Sequence, residues 1–252
     1  MSDEVEETGV PAAIAAAWGV RERPGKGPKR GLSVARIVDA AIAVANADGL
    51  PAVSMNRVAA ELGTAAMSLY RYVSSKDELL ALMVDEANGP PPEQSSGADD
   101  WRTALTSWAQ GQLAVYHAHP WVVHVPISGP PIMPNSVAWF EQGLRSLTGT
   151  RLTEDEKVGV ILVVSGLVRN QAMLEMQLEA AMRSADSEAV MTGYGRLLSQ
   201  LTDPEHFPAV HAGIAAGVFD ADDEDDLAFD FGLGLLLDGI AVLTGRRDAH
   251  DG

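Results

Sequence analysis

Between Ser54 and Lys76 the chain reads Ser-Met-Asn-Arg-Val-Ala-Ala-Glu-Leu-Gly-Thr-Ala-Ala-Met-Ser-Leu-Tyr-Arg-Tyr-Val-Ser-Ser-Lys, two short amphipathic segments joined at a glycine. In the first, Ser54 is placed to cap a helix whose apolar residues Met55, Val58, Ala59 and Leu62 follow the 3.6-residue period. Gly63 supplies the left-handed residue that ends it. In the second, Thr64 is the expected N-cap, and Ala66, Leu69, Tyr70 and Val73 recur at i, i+3, i+4 and i+7. The opposite stripe of Ala65, Ser68, Arg71 and Tyr72 is left free to face a groove. That is the pattern of a helix-turn-helix that reads DNA.

Two helices this short cannot bury their own apolar faces, and the flanking sequence supplies what they lack. Upstream, Ser33 caps a predicted helix with Val34, Ile37, Val38, Ala41, Ile42 and Ala45 on one stripe, ending at Asp48-Gly49. Downstream, Ser75-Lys76-Asp77-Glu78 fits a Ser-x-x-Glu capping box and opens a helix carrying Leu79, Leu80, Leu82, Met83 and Val84.

In this setting the segment from Ile37 to Leu80 resembles the DNA-binding domain of the TetR family of bacterial transcriptional repressors. The residues that carry the resemblance are Gly49-Leu50, Val58-Ala59-x-x-Leu62-Gly63, Leu69-Tyr70-x-Tyr72-Val73 and Lys76-x-x-Leu79. Tyr72 stands where the family more often has histidine. Carried over position by position, the resemblance implies phosphate contacts from Ser54, Asn56, Tyr70 and Lys76. Thr64, at the start of the second helix, joins this DNA-binding set. Base edges fall to Ala66, Ser68, Arg71 and Tyr72, among which only Arg71 can grip a guanine through two hydrogen bonds.

The charge distribution fits that division of labour. Residues 21–76 hold nine Lys/Arg and four Asp/Glu, whereas residues 77–252 hold nine and 27, and the whole chain carries a formal charge of −17. A chain this acidic is repelled by nucleic acid except through a locally positive surface. Arg21 to Gly31 brings five basic side chains among Pro and Gly residues that forbid regular structure. It reads as a flexible basic arm that leads into the first helix and orders along DNA. Its Gly25-x-Gly27 follows no strand and is not a dinucleotide fingerprint.

With 252 residues and no cysteine, the chain has room for a small and a larger domain and lacks disulfides and thiolate metal sites. The acidic stretch Met1 to Thr8 argues against a signal peptide, and the expected location is cytoplasmic. The linker Asn88-Gly-Pro-Pro-Pro-Glu-Gln-Ser-Ser-Gly97 separates a helix-turn-helix domain, residues 33–87, from a helical domain, residues 98–247. Residues 1–32 form a flexible extension. The fold class is all-α.

Beyond the linker, helices are predicted over Trp101–His119, Asn135–Leu147, from the Thr153–Glu156 capping box to about Arg183, and from about Asp223 to Thr244. Val158 to Val168 and Leu227 to Leu243 are apolar around most of the helix, which implies a second buried surface besides the core. Gly232, Gly234 and Gly239 would admit a closely approaching helix. Arg169, Asp230 and Asp238 interrupt these runs, so a four-helix homodimer interface accounts for them better than a membrane does.

This half is similar to the ligand-binding and dimerisation domain of the TetR family, tetracycline-repressor-like group, through His119-Pro120-Trp121 and Pro134-Asn135-x-Val137. The resemblance implies a homodimer on a palindromic operator, a double-stranded DNA partner, and release by a small-molecule effector. Trp108, His117, Trp121, Trp139, Arg169, Asn170 and Met173 are the expected effector-binding residues, with His119, His124, Phe140 and Met176 nearby in the same mix of aromatic and sparse polar groups. Arg169 is singled out because a charge inside a long apolar helix needs a partner or a ligand.

No cofactor is expected. His117-x-His119-x4-His124 has the wrong spacing for a helical metal site, and Pro120 breaks the helix inside it. Nor is an enzyme expected: the chain has no Gly-x-Ser-x-Gly elbow, phosphate loop, His-Glu-x-x-His or cysteine nucleophile. The alternative that shares this front end is a DNA-binding activator or architectural protein without effector release.

Overall fold

A computed structural model of the chain describes residues 12–19, 31–93, 100–182, 193–219 and 225–248. Among the described residues the chain is all-α, with no strand. The helices are α1 (Ala12–Ala17), α2 (Val34–Asp48), α3 (Met55–Glu61), α4 (Ala66–Leu69), α5 (Lys76–Asn88), α6 (Trp101–Ala118), α7 (Pro134–Ser146), α8 (Glu154–Met182), α9 (Tyr194–Leu201), α10 (Pro208–Ala215) and α11 (Asp225–Asp248). Short 3-10 helices at Leu50–Ala52 and Pro120–His124 complete the set.

Local chemistry explains the boundaries the sequence predicts. Ser33, Ser54 and Ser75 each accept a hydrogen bond from the backbone NH three residues on, which satisfies an amide left open at the helix start. Thr153 and Glu156 close a reciprocal capping box at the start of α8. After α3, Gly63 adopts φ +65°, and the NH groups of Gly63 and Thr64 bond back to Ala60 O and Ala59 O. This paired motif turns the chain and presents α4.

Two apolar cores result. In the front core, Ile37, Val44, Val53, Val58, Leu69, Val73, Leu79 and Met83 lock α2 to α5 together. The rear core joins α6, α7, α8 and α11 through Leu105, Trp108, Trp139, Leu147, Ile161, Val164, Val168 and Leu233. By length and composition α8 could cross a membrane. Its stripe of Ile161, Val164, Val168 and Ala172 lies instead in the rear core.

The junction between the cores is polar as well as apolar. Asp85, buried on α5, accepts from the backbone NH of Asn135 and Ser136 and from the Ser136 hydroxyl, and so caps α7 from another helix. The 3-10 helix Pro120–His124 sends Trp121 and Val122 into the front core and Val123 into the rear one.

The extension over residues 1–32 is not uniformly irregular. The alanine-rich run Ala12–Ala17 is helical, Ile14 and Ala15 are buried, and Trp18 Nε1 donates to Ile132 O at 2.8 Å. Alanine has the highest intrinsic helix propensity, and Ile14 and Trp18 stand four residues apart on one face. Residues 20–30, which hold nearly all of the basic arm, lie outside the described residues.

Candidate DNA-reading surface and effector domain

The helix-turn-helix presents a surface that differs in detail from the sequence pattern. Helix α4 stops at Leu69; residues 70–72 form a turn in which the NH groups of Tyr72 and Val73 both bond to Leu69 O. The N-cap is Ala65, without a side-chain bond, in place of the expected Thr64. The i→i−4 bond from Val73 NH to Leu69 O still carries the register as far as Val73. Leu69 and Val73 are fully buried as the stripe requires, but Tyr70 is 46% exposed and Tyr72 packs against the front core. The two tyrosines thus exchange the environments the periodicity gives them.

Ser54, Asn56, Arg71 and Lys76 are exposed, whereas Thr64, Ala66 and Ser68 are half-buried. The basic groups are not equivalent. Arg57 is held by Asp48 at 3.2 Å and Glu61 at 2.8 Å, and these carboxylates hold its guanidinium above its ordinary pKa. Arg71 and Lys76 make no ion pair with any described residue. They are the cations of this surface that are available for an external anion. The residue that sequence reasoning missed is Met67, 76% exposed on α4. Its signal was present: Met67 lies off the Ala66-Leu69-Val73 stripe.

In the rear domain the expected effector residues fall in different surroundings among the described residues. Trp108 and Trp139 are buried; Trp108 Nε1 donates to Trp139 O at 2.8 Å, and Trp139 Nε1 to Gly89 O at 3.0 Å. Trp121 is buried in the front core with its Nε1 on Asn46 Oδ1 at 2.7 Å. Each indole NH already has a partner, so all three tryptophans serve as core in this structure. Asn170 is exposed, and Met173 is half-buried.

Arg169 has the partner its position demands. Its guanidinium donates to Val123 O and, at 2.9 Å, to Val125 O, the carbonyls at the end of the 3-10 helix. It also meets the hydroxyl of Tyr116, a phenol that burial pushes above its ordinary pKa while Arg169 pulls the other way. His117 is the one expected effector residue that lines the described cleft. This opening of about 220 Å³ lies between α6 and α11, bounded by Gln110, Leu113, Ala114, His117, Phe229 and Asp230. His117 Nε2 sits 2.7 Å from Glu175 Oε2.

A separate surface is apolar and open. Leu162, Val163 and Leu174 on α8 and Phe231, Leu235, Val242 and Leu243 on α11 are all exposed, Phe231 by 70%. A Cβ added at Gly159, Gly166, Gly234 or Gly239 would meet nothing within 4 Å, whereas at Gly232 it would touch Leu167 at 3.4 Å. Among the described residues, therefore, nothing packs against the first four where a side chain would stand.

Comparison with known proteins gives a consistent result. Residues 37–83 match the family model described as bacterial regulatory proteins, tetR family, and residues 92–244 match the tetracyclin repressor-like C-terminal domain. The HTH-type transcriptional repressor DrrR1 of Streptomyces coeruleorubidus is 37% identical over 233 residues, which cover 91% of this chain and 85% of the relative. Apo ActR from Streptomyces coelicolor superimposes with a TM-score of 0.71 at 26% identity, covering 88% of this chain and 100% of ActR. ActR in complex with actinorhodin gives 0.72 at 25% identity, covering 85% of this chain and 97% of ActR.

Proposed function

The chain belongs to the TetR family of bacterial regulatory proteins, and we propose that it is a homodimeric transcriptional repressor released from a two-fold-symmetric operator by a small-molecule effector. The observation that carries this reading is the recognition surface, where Tyr70, Arg71 and Lys76 stand exposed on a helix-turn-helix whose interior is fully packed. A rigid scaffold with free cations at its rim is what docking on a phosphate backbone needs. In this reading residues 33–87 form the DNA-binding unit, residues 98–247 the effector-binding and dimerisation unit, and residues 1–32 an extension carrying the basic arm. The protein works in the cytoplasm, where its operator lies.

Ser54, Asn56, Tyr70 and Lys76 contact phosphates, Thr64 joins the DNA-facing set, and Ser68 and Arg71 face base edges. Tyr72 supports the turn from the core side. The exposed faces of α8 and α11 meet their copies in a second protomer, which sets the two recognition helices one helical turn of DNA apart, about 34–36 Å. Similarity to a protein named a repressor supports repression over activation. The ActR–actinorhodin complex supports an effector-responsive rear domain. The cleft beside His117 is smaller than the roughly 300–1,000 Å³ of most ligand sites, so effector binding there must move side chains.

Selection from a randomised duplex library at near-physiological salt tests this function. A retained palindrome with half-sites one turn apart supports it; a folded protein that enriches no motif refutes it. Two substitutions refine the test. Arg71→Ala is expected to cost about 1–3 kcal/mol at one symmetric guanine and to relax preference there; uniform weakening at all positions would show that Arg71 reads no base. Lys76→Ala is expected to weaken all duplexes alike and to lower the salt slope of binding by about 1 per half-site, read from a salt titration.

A further inference from the structure

We propose that Met67 reads the C5-methyl group of a thymine at one position of each operator half-site. The inference rests on the DNA-binding reading above and adds a specificity determinant to it. No large apolar side chain among the described residues is more exposed than Met67, at 76%. The front core gives it no role: Leu69 fills the interior from the same helix, and Ala66 packs at its edge. A flexible thioether standing in water lacks the stabilisation that burial would give, so an apolar group brought against the outer face of α4 would be bound favourably by Met67.

The surroundings define that contact. Met67 is exposed on α4, with exposed Ala65 two residues before it and exposed Arg71 four residues after it, and exposed Lys76 opens α5. These cations favour a polyanion over an apolar protein partner, and the major groove of DNA offers one apolar group, the thymine methyl. Methionine lacks a strong hydrogen-bonding group, so it cannot read the donors and acceptors of other base edges. It discriminates thymine from cytosine by contact alone, in a groove where Arg71 supplies the hydrogen-bonded guanine contact.

The test uses deoxyuridine, which removes the methyl group and leaves pairing intact. Each thymine of the selected operator is replaced in turn, symmetrically in both half-sites, and affinity is measured for the full-length protein and for Met67→Ala. Wild type is expected to lose about four-fold per half-site at one thymine position, the value of one buried methyl-sized group. Met67→Ala should bind the unmodified operator more weakly, show no further loss at that position, and keep its guanine preference. Because Met67 touches no core, its helical melting curve should match wild type. A flat deoxyuridine profile for wild type, or an unchanged penalty in Met67→Ala, would overturn the inference while leaving operator binding intact. Recovery of no operator at all would remove the DNA-binding reading and this inference with it.

Discussion

Replacing Phe231 by glutamate is expected to convert the proposed dimer to monomers and to weaken operator binding by about 100-fold or more, because two linked half-site contacts become two independent ones. Phe231 is exposed in the protomer, so the charge costs little there. In the dimer it would be buried against an apolar copy of the same face without a partner, which is strongly unfavourable. Gly239→Leu separates this effect from charge. A Cβ at Gly239 meets nothing within 4 Å among the described residues, and leucine is the better helix former, so the protomer should accept the change that a closely packed partner helix would not. Light scattering gives the mass and gel shift gives the affinity. Stable dimers in both variants would show that protomers meet elsewhere.

The second large effect is expected at Arg169. Arg169→Met keeps much of the apolar stem but removes the charged donor to Val123 O and Val125 O and the neighbour of the buried Tyr116 hydroxyl. Leaving such acceptors unpaired in a partly buried site should cost about 2–4 kcal/mol and lower Tm by roughly 5–15 °C. The consequence extends beyond stability. Arg169 on α8 fixes the end of the 3-10 helix from the rear core, while Trp121 in the same turn bonds Asn46 at the end of α2. Loosening one end should therefore disturb the seating of α2 and lower operator affinity more than the dimer constant. Arg169→Lys, a single-point donor that cannot reproduce the fork, should recover only part of the loss. Thermal melting with wild-type Tm for Arg169→Met would show that water satisfies these carbonyls.

Features separated by three or four residues were readable in the sequence because their chemistry is local. The serine caps of α2, α3 and α5 and the Thr153–Glu156 box each join a side chain to an amide within one turn of the helix, and the left-handed Gly63 closes its turn by backbone bonds to Ala60 and, from Thr64, to Ala59. The apolar stripe held for Leu69 and Val73 but not for the tyrosines beside them: Tyr70 is exposed and Tyr72 packs against the front core, in a turn that follows the last residue of α4. That Trp108, Trp121 and Trp139 are buried with each indole NH on an acceptor 31 to 75 residues away was not legible, because composition carries no information on such partners. Asp85 gave no sign of its role, because the amides it caps are some 50 residues away.

The helical class, the helix-turn-helix and its place before a larger helical unit were legible from residue order alone, since these follow from short-range capping, turn chemistry and apolar period. Which residues are surface and which are core came from packing in three dimensions: Met67 and Tyr70 outward, Trp108, Trp121 and Trp139 inward, Arg169 bound to backbone carbonyls 44 and 46 residues distant. Burial and hydrogen-bond pairing depend on what the rest of the chain brings to a position. That information is non-local, and no window of sequence contains it.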